Sequence, residues 1–225
     1  MSHRWKRLLA FAAIYFGWGS TYLFIRMGVH EVPPLLFAAI RFFTAGLVLV
    51  AWMKARREPW PNARQWGSIF LLGAMIFLGD YGLMFWAELK VPSGVTAVIM
   101  ATIPIFIALS EIAILHTQRL TVRLASALMI GLAGVAVMMS RSLNLGAIAV
   151  STAGAVALIL ASILWSVASV MTKKLPLPES KVLSSGAQML VGGVMLAVAA
   201  TLFGEPRRFH PAAVSGQAWF ALVYL

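Results

Sequence analysis

Three ionisable residues interrupt long uncharged stretches. Arg41 sits in "LLFAAIRFFTAGLVLV", Asp80 in "FLGDYGL" and Glu111 in "IALSEIAIL". Asp80 is the only aspartate in the chain. A guanidinium in apolar surroundings needs a carboxylate partner, a wet cavity or an anionic ligand, and a lone carboxylate can pair with it or carry a proton. Other residues suit ligand contact. Trp18, Tyr22, Tyr81, Trp165 and Gln188 could line a mostly apolar cavity with a few polar groups, the usual make-up of a small-molecule site; the tryptophans could equally fill core. Pro104, in "TIPIF", removes a backbone donor and kinks a helix. Broken helices border ligand sites in polytopic membrane proteins, although proline also serves packing alone.

The solvent of these residues decides what they do. Of 225 residues, 61% are hydrophobic and 11% charged, against about 25% charged in soluble domains. Mean hydropathy is +0.89. Apolar runs recur at 8–25, 32–53, 65–87, 91–115, 124–140, 146–172 and 182–203, and another begins at 217–225. A spanning helix needs about 20 such residues. The two-residue alternation of an outer-membrane barrel is absent. The expectation is an all-α, polytopic transmembrane bundle with seven full spans and part of an eighth. Nine helical residues at the end cover only about 13.5 Å, so the chain reads as a piece of a longer one.

The net charge of +11 would suggest nucleic acid in a soluble protein. Here the charges sort by side. Arg4, Lys6, Arg7, Lys54, Arg56, Arg57, Arg64, Arg119, Arg123, Lys173, Lys174 and Lys181 fall at one end of the spans, and outnumber Arg26, Lys90, Arg141, Arg207 and Arg208 at the other. The positive-inside rule puts the amino terminus in the cytoplasm. Trp5, Trp52, Trp60 and Trp66 then form an inner belt, and Trp86 and Trp219 an outer one. The opening "MSHRWKR" resembles the basic region of a signal peptide, but its apolar run is long and no small-residue cleavage site follows.

Depth along the spans suggests how the charges are met. Arg41 lies about 12 Å from Pro33 along the axis, and Asp80 about 10 Å from the end of its span. Their spans are consecutive and antiparallel, so the two share a depth and an ion pair is expected. The open alternatives are an anionic substrate group for Arg41 and proton coupling for Asp80. Glu111 is expected to pair with Arg119 or Arg123. Ala149, Ala153, Ala157 and Ala161, continued by Ser162 and Ser166, form a ridge that lets helices approach closely.

Enzyme chemistry is poorly served. With one aspartate there is no carboxylate dyad, and HExxH is missing. Ser93 and His116 lie about 34 Å apart along one span. The P-loop of ATP-driven pumps is absent, as is every cysteine. Nothing in the sequence calls for a cofactor or a metal.

Shifting the chain by 147 residues, from Trp18 to Trp165, lays the first span on the sixth and the second on the seventh. Arg26 then meets Lys173, Arg41 meets Gln188, and Gly46 meets Gly193. An odd number of spans separates the copies, so the second enters from the opposite side, the arrangement of inverted repeats. "FGWGSTYLFIR", "AAIRFFTAG", "FWAELKVPSGVTAVIMATIPIFIAL" and "QRLT" resemble the EamA-type proteins of the drug/metabolite transporter superfamily. Gln118-Arg119 stands where that family often has Glu-Arg. The resemblance implies two inverted five-helix repeats, here 1–141 and 142–225 with the second incomplete. It implies a secondary carrier in the cell inner membrane exporting amino acids or small metabolites by alternating access. Its partners would be a small-molecule substrate and the lipid bilayer, with no nucleic acid; a homo-oligomer or further carboxy-terminal helices would complete it. A lipid flippase or a non-transporting helper subunit is the alternative. The substrate-binding candidates are Trp18, Tyr22, Arg41, Asp80, Tyr81, Pro104, Trp165 and Gln188.

Overall fold

A computed structural model describes residues 3–116, 121–144 and 151–225. Every regular element among them is helical. Helix α1 runs His3–Val29 and α2 Pro34–Ala55. The third span, Ala63–Glu88, is continuous but changes pitch: α3 (Ala63–Gly73), a π-helical stretch (Ala74–Tyr81) and α4 (Gly82–Glu88). The fourth, Ser93–Leu115, is broken into α5 (Ser93–Met100) and α6 (Ile103–Ser110), ending in a second π-helical turn, Glu111–Leu115. Then follow α7 (Val122–Asn144), α8 (Thr152–Met171), α9 (Lys181–Leu202) and a short α10 (Gly216–Tyr224). Six spans among the described residues are long and apolar enough to cross a membrane, and the Val122–Gly131 part of α7 is apolar but shorter. Residues 117–120 and 145–150, which include Arg119 and Ala149, lie outside the described residues.

Local sequence sets the ends. Asn62 and Gln65 form a reciprocal capping box at the start of α3, each side chain accepting from the other's backbone N–H at 2.9 Å. Such boxes satisfy two of the donors a helix start leaves free. Ser151, Ser180 and Ser215 cap α8, α9 and α10. The start of α2 has no cap of its own; Glu205 supplies one from a distant turn, accepting from the Leu36 N–H at 2.8 Å. Burial pushes the Glu205 carboxyl above the usual carboxylate range. At the same end Glu31 accepts from the Ser215 N–H at 2.6 Å and its hydroxyl at 2.7 Å. These two bonds, the backbone one foremost, hold its carboxyl below the usual range, so the tie to α10 persists through mildly acidic pH and loosens only below the ordinary carboxylate range, as the carboxyl protonates.

The charged and aromatic residues gather at the two ends as their spacing predicts. Lys54 lies over Trp60 and Arg56 over Trp52 at one end, and Lys90 over Trp86 at the other, with 4.3, 5.0 and 4.8 Å to the ring centroids. Among the described residues Glu111 is ion-paired with Lys173, just past the end of α8, and not with Arg123, while Arg119 lies outside the described residues. The next lysine, Lys174, donates to the Ile114 carbonyl. The chain thereby ties the end of the fourth span to the start of the α8–α9 connection.

Glycines set the closest packing, between α2 and α9. A Cβ added at Gly46 would lie 2.4 Å from the Leu190 nitrogen and 2.8 Å from its Cα. One added at Gly193 would lie 2.5 Å from the Phe43 nitrogen and 2.8 Å from its Cα. The two contacts are reciprocal under the 147-residue shift, which carries 46 to 193 and 43 to 190. Gly186 likewise sits against Leu49. Backbones that approach this closely gain dispersion contacts along their length, the main attraction between helices in lipid.

Candidate functional site

A cavity of about 600 Å³ opens between four of the spans. Helix α1 contributes Tyr15, Trp18, Thr21 and Tyr22. The π-helical stretch brings Asp80 and Tyr81, followed by Met84 of α4. Ala101, Ile103 and Pro104 line it from the break in the fourth span, and Trp165 from α8. Six of the eight residues singled out from sequence thus border one space: Trp18, Tyr22, Asp80, Tyr81, Pro104 and Trp165. Trp18 stands at its mouth, 56% exposed, while Tyr22 and Trp165 are half-buried.

Each element presents these groups for a local reason. Pro104 cannot donate to the turn before it, so α5 ends at Met100 and α6 starts afresh with proline in its first turn, where its missing N–H costs nothing. Polar groups exposed by the break find partners within the protein, as a membrane requires. Thr102 Oγ1 donates to the Ile99 carbonyl at 2.6 Å, and Ser166 Oγ of α8 donates to the Ile103 carbonyl at 3.2 Å. The small face of α8, with Ala157, Ala161, Ser162 and Ser166 buried, is what lets α8 approach the break. A π-helical turn holds an extra residue per turn and recurs at functional sites; here it ends on Asp80 and Tyr81.

Aromatic rings join the parts. Tyr81 meets Trp165 edge-on at 5.9 Å and packs on Phe42 at 4.5 Å and Phe77 at 5.9 Å. Asp80 is 1% exposed, and its Oδ1 has no hydrogen-bond partner among the described residues.

The expected Arg41–Asp80 ion pair is not formed: the described residues hold one ion pair, Lys173–Glu111. The Arg41 guanidinium lies over the Phe42 and Tyr81 rings, 4.8 and 5.7 Å from their centroids, and Nε donates to the Leu225 carbonyl at 3.1 Å. It faces a separate groove between α2 and α10. Shared depth on antiparallel helices did not mean shared azimuth. Gln188 also lies apart from the cavity, buried in α9 and donating to the Ser184 hydroxyl at 3.0 Å.

Sequence reasoning passed over Thr21, Met84 and Met100 as lining residues, and Glu88 as a buried charge. Glu88 is 0% exposed with neither carboxylate oxygen hydrogen-bonded among the described residues. It faces Thr96 and lies in electrostatic reach of Arg26.

The model of the EamA-like transporter family matches residues 5–140, more than half of the chain. The chain belongs to the EamA-like transporter family. The uncharacterized inner membrane transporter YedA of Escherichia coli K12 is 35% identical to it over 209 residues, 90% of this chain and 65% of YedA. The uncharacterized transporter YoaV of Bacillus subtilis is 26% identical over 88% of this chain and 68% of its own length. The chain thus spans about 65% of the length of YedA. A protein of known crystal structure has the same fold, with a TM-score of 0.61 over 99% of this chain and 74% of that one, at 24% identity. This EamA-family chain is a polytopic helical membrane protein.

Proposed function

We propose that the protein is a secondary transporter of the inner membrane, a carrier and not an enzyme, which exports amino acids or small metabolites by alternating access with its amino terminus in the cytoplasm. One observation carries this reading: the cavity lies between Trp18 of the first repeat copy and Trp165 of the second, residues that the 147-residue shift superposes. Carriers built of inverted repeats bind their substrate near the midplane where the repeats meet, beside discontinuous helices. The broken fourth span borders this cavity in the same way. The reciprocal Gly46–Leu190 and Gly193–Phe43 contacts are what a two-fold axis between α2 and α9 would produce, in favour of repeats at 1–141 and 142–225. A relative in Salmonella typhimurium, 24% identical over 70% of this chain and 50% of its own length, bears the name "Probable amino-acid metabolite efflux pump". For this chain the same solute class fits a cavity of this volume, within the roughly 300–1,000 Å³ of small-molecule sites.

The test is flux. The full-length protein in proteoliposomes, offered a panel of radiolabelled amino acids and amines, is expected to move at least one of them saturably. Trp165→Ala is expected to cut that flux about tenfold, the equivalent of about 1.4 kcal/mol of lost interaction. No flux above that of empty liposomes for any member of the panel would defeat the reading.

A further inference from the structure

The cavity carries one kind of charge. Asp80 is the only carboxylate on its wall and no lysine, arginine or histidine lines it; the remainder is aromatic rings, three of them with tyrosine hydroxyls, methionines, aliphatic groups and Thr21. The Thr21 hydroxyl is already committed to the Gly17 carbonyl at 2.8 Å. Arg41, the partner expected from sequence for Asp80, lies instead over Phe42 and Tyr81 and opens on another groove. A carboxylate 1% exposed, with an oxygen that accepts no hydrogen bond among the described residues, lacks the partner that buried charges ordinarily have.

We propose that this cavity takes an organic cation, an amine or quaternary ammonium group bearing apolar substituents, with Asp80 as its counter-charge and the rings of Trp18, Tyr22, Tyr81 and Trp165 as its wall. The proposal rests on the reading of this cavity as the substrate site and narrows its substrate class. Electron-rich ring faces attract a cation that has shed its water, and such rings also bury its apolar substituents. Tyr22 and Tyr81 line the same cavity as Asp80 and lie in electrostatic reach of it, so carboxylate and rings border one space. An anion would meet uncompensated repulsion from Asp80, with no basic group on the wall to offset it. Cations of the wrong shape are excluded by the rings, and small hydrated cations find one carboxylate and no further oxygen cage.

The experiment compares two ions of one shape and opposite charge. Tetraphenylphosphonium and tetraphenylborate are titrated into the purified full-length protein in detergent, with binding read by equilibrium dialysis. Saturable phosphonium binding is expected. Asp80→Asn should weaken it about thirtyfold or more, the low end of what removing one partner of a buried charge pair costs, while Asp80→Glu retains most of it. Tetraphenylborate should bind no better to the parent than to Asp80→Asn. Thermal unfolding by tryptophan fluorescence certifies that each variant is folded, and Trp165→Phe provides a second, milder probe of the same wall. Phosphonium affinity untouched by Asp80→Asn, or tetraphenylborate binding equal to that of phosphonium, would overturn the proposal. Flux of neutral or zwitterionic solutes without phosphonium binding would defeat the cation class and leave the transporter reading standing. Phosphonium binding that depends on Asp80, in a protein that moves no solute, would keep the site and defeat the transporter reading.

Discussion

Gly46→Val and Gly193→Val will each lower the melting temperature of the purified protein steeply, or abolish the folded state in detergent altogether. Any Cβ at these positions would sit 2.4–2.5 Å from a backbone nitrogen of the facing helix. Flexible side chains can move aside from such an overlap; a helix backbone cannot without shifting the whole α2–α9 contact. Overpacking in ordinary cores costs about 1–3 kcal/mol, occasionally more, and this case belongs at the upper end because both neighbours are main chain. The losses should be alike in size, since the two contacts mirror each other. Gly17 is the control. Nothing lies within 4 Å of a Cβ there, and Gly17→Ala should be neutral or stabilising by about 1 kcal/mol from helix propensity. Melting within a degree or two of the parent for either valine variant would show that α2 and α9 do not pack as described.

Arg26→Ala should be the most damaging loss of a charge. Arg26 Nη1 donates to the Val91 carbonyl at 2.6 Å and reaches the Glu88 carbonyl at 3.5 Å, so it ties the end of α1 to the α4–α5 turn. It is also the cation nearest in effect to the Glu88 carboxylate, which is fully buried. Removing it strips two carbonyls of their charged donor and takes a cation from the reach of the buried Glu88 carboxyl. Hydrogen bonds from a charged group are worth about 1.5–3 kcal/mol. Glu88→Gln in the same chain removes the acid that the lost cation faced, so the double variant should recover part of the loss. Unfolding in detergent checks this. A double variant no more stable than Arg26→Ala alone would show that the two groups do not act on each other.

Much of this architecture was legible in residue type and spacing. Apolar runs located the spans because bilayer thickness fixes their length. Basic residues and tryptophans marked the two ends, and the Lys54–Trp60 and Lys90–Trp86 contacts follow from that sorting. Pro104 signalled the break in the fourth span because a missing donor has one local consequence. The shift that superposes Gly46 on Gly193 names two glycines on which α2 and α9 pack, but not the contact itself. What stayed hidden was set by neighbours. No residue type announces a π-helical stretch, so the phase of Asp80 and Tyr81 around their helix could not be read, and depth alone paired Asp80 with Arg41. Gln188 shared its depth with the cavity residues, yet its amide finds Ser184 on its own helix. Glu88 and Glu111 each sit near basic residues in sequence, but chain crossings chose Arg26 and Lys173 as the cations that act on them.

The central claim is that the space beside Thr21 is a transport site that opens to water. Thr21 lines the cavity, cysteine is nearly its shape, and the chain has no other cysteine. Thr21→Cys in proteoliposomes, treated with a membrane-impermeant maleimide from one side and then, in a separate sample, from the other, tests that claim most directly. Alternating access predicts modification from both sides, slowed from both by a solute that the protein moves. A cysteine that reacts from neither side, or from one side only and at a rate no transported solute alters, would contradict it.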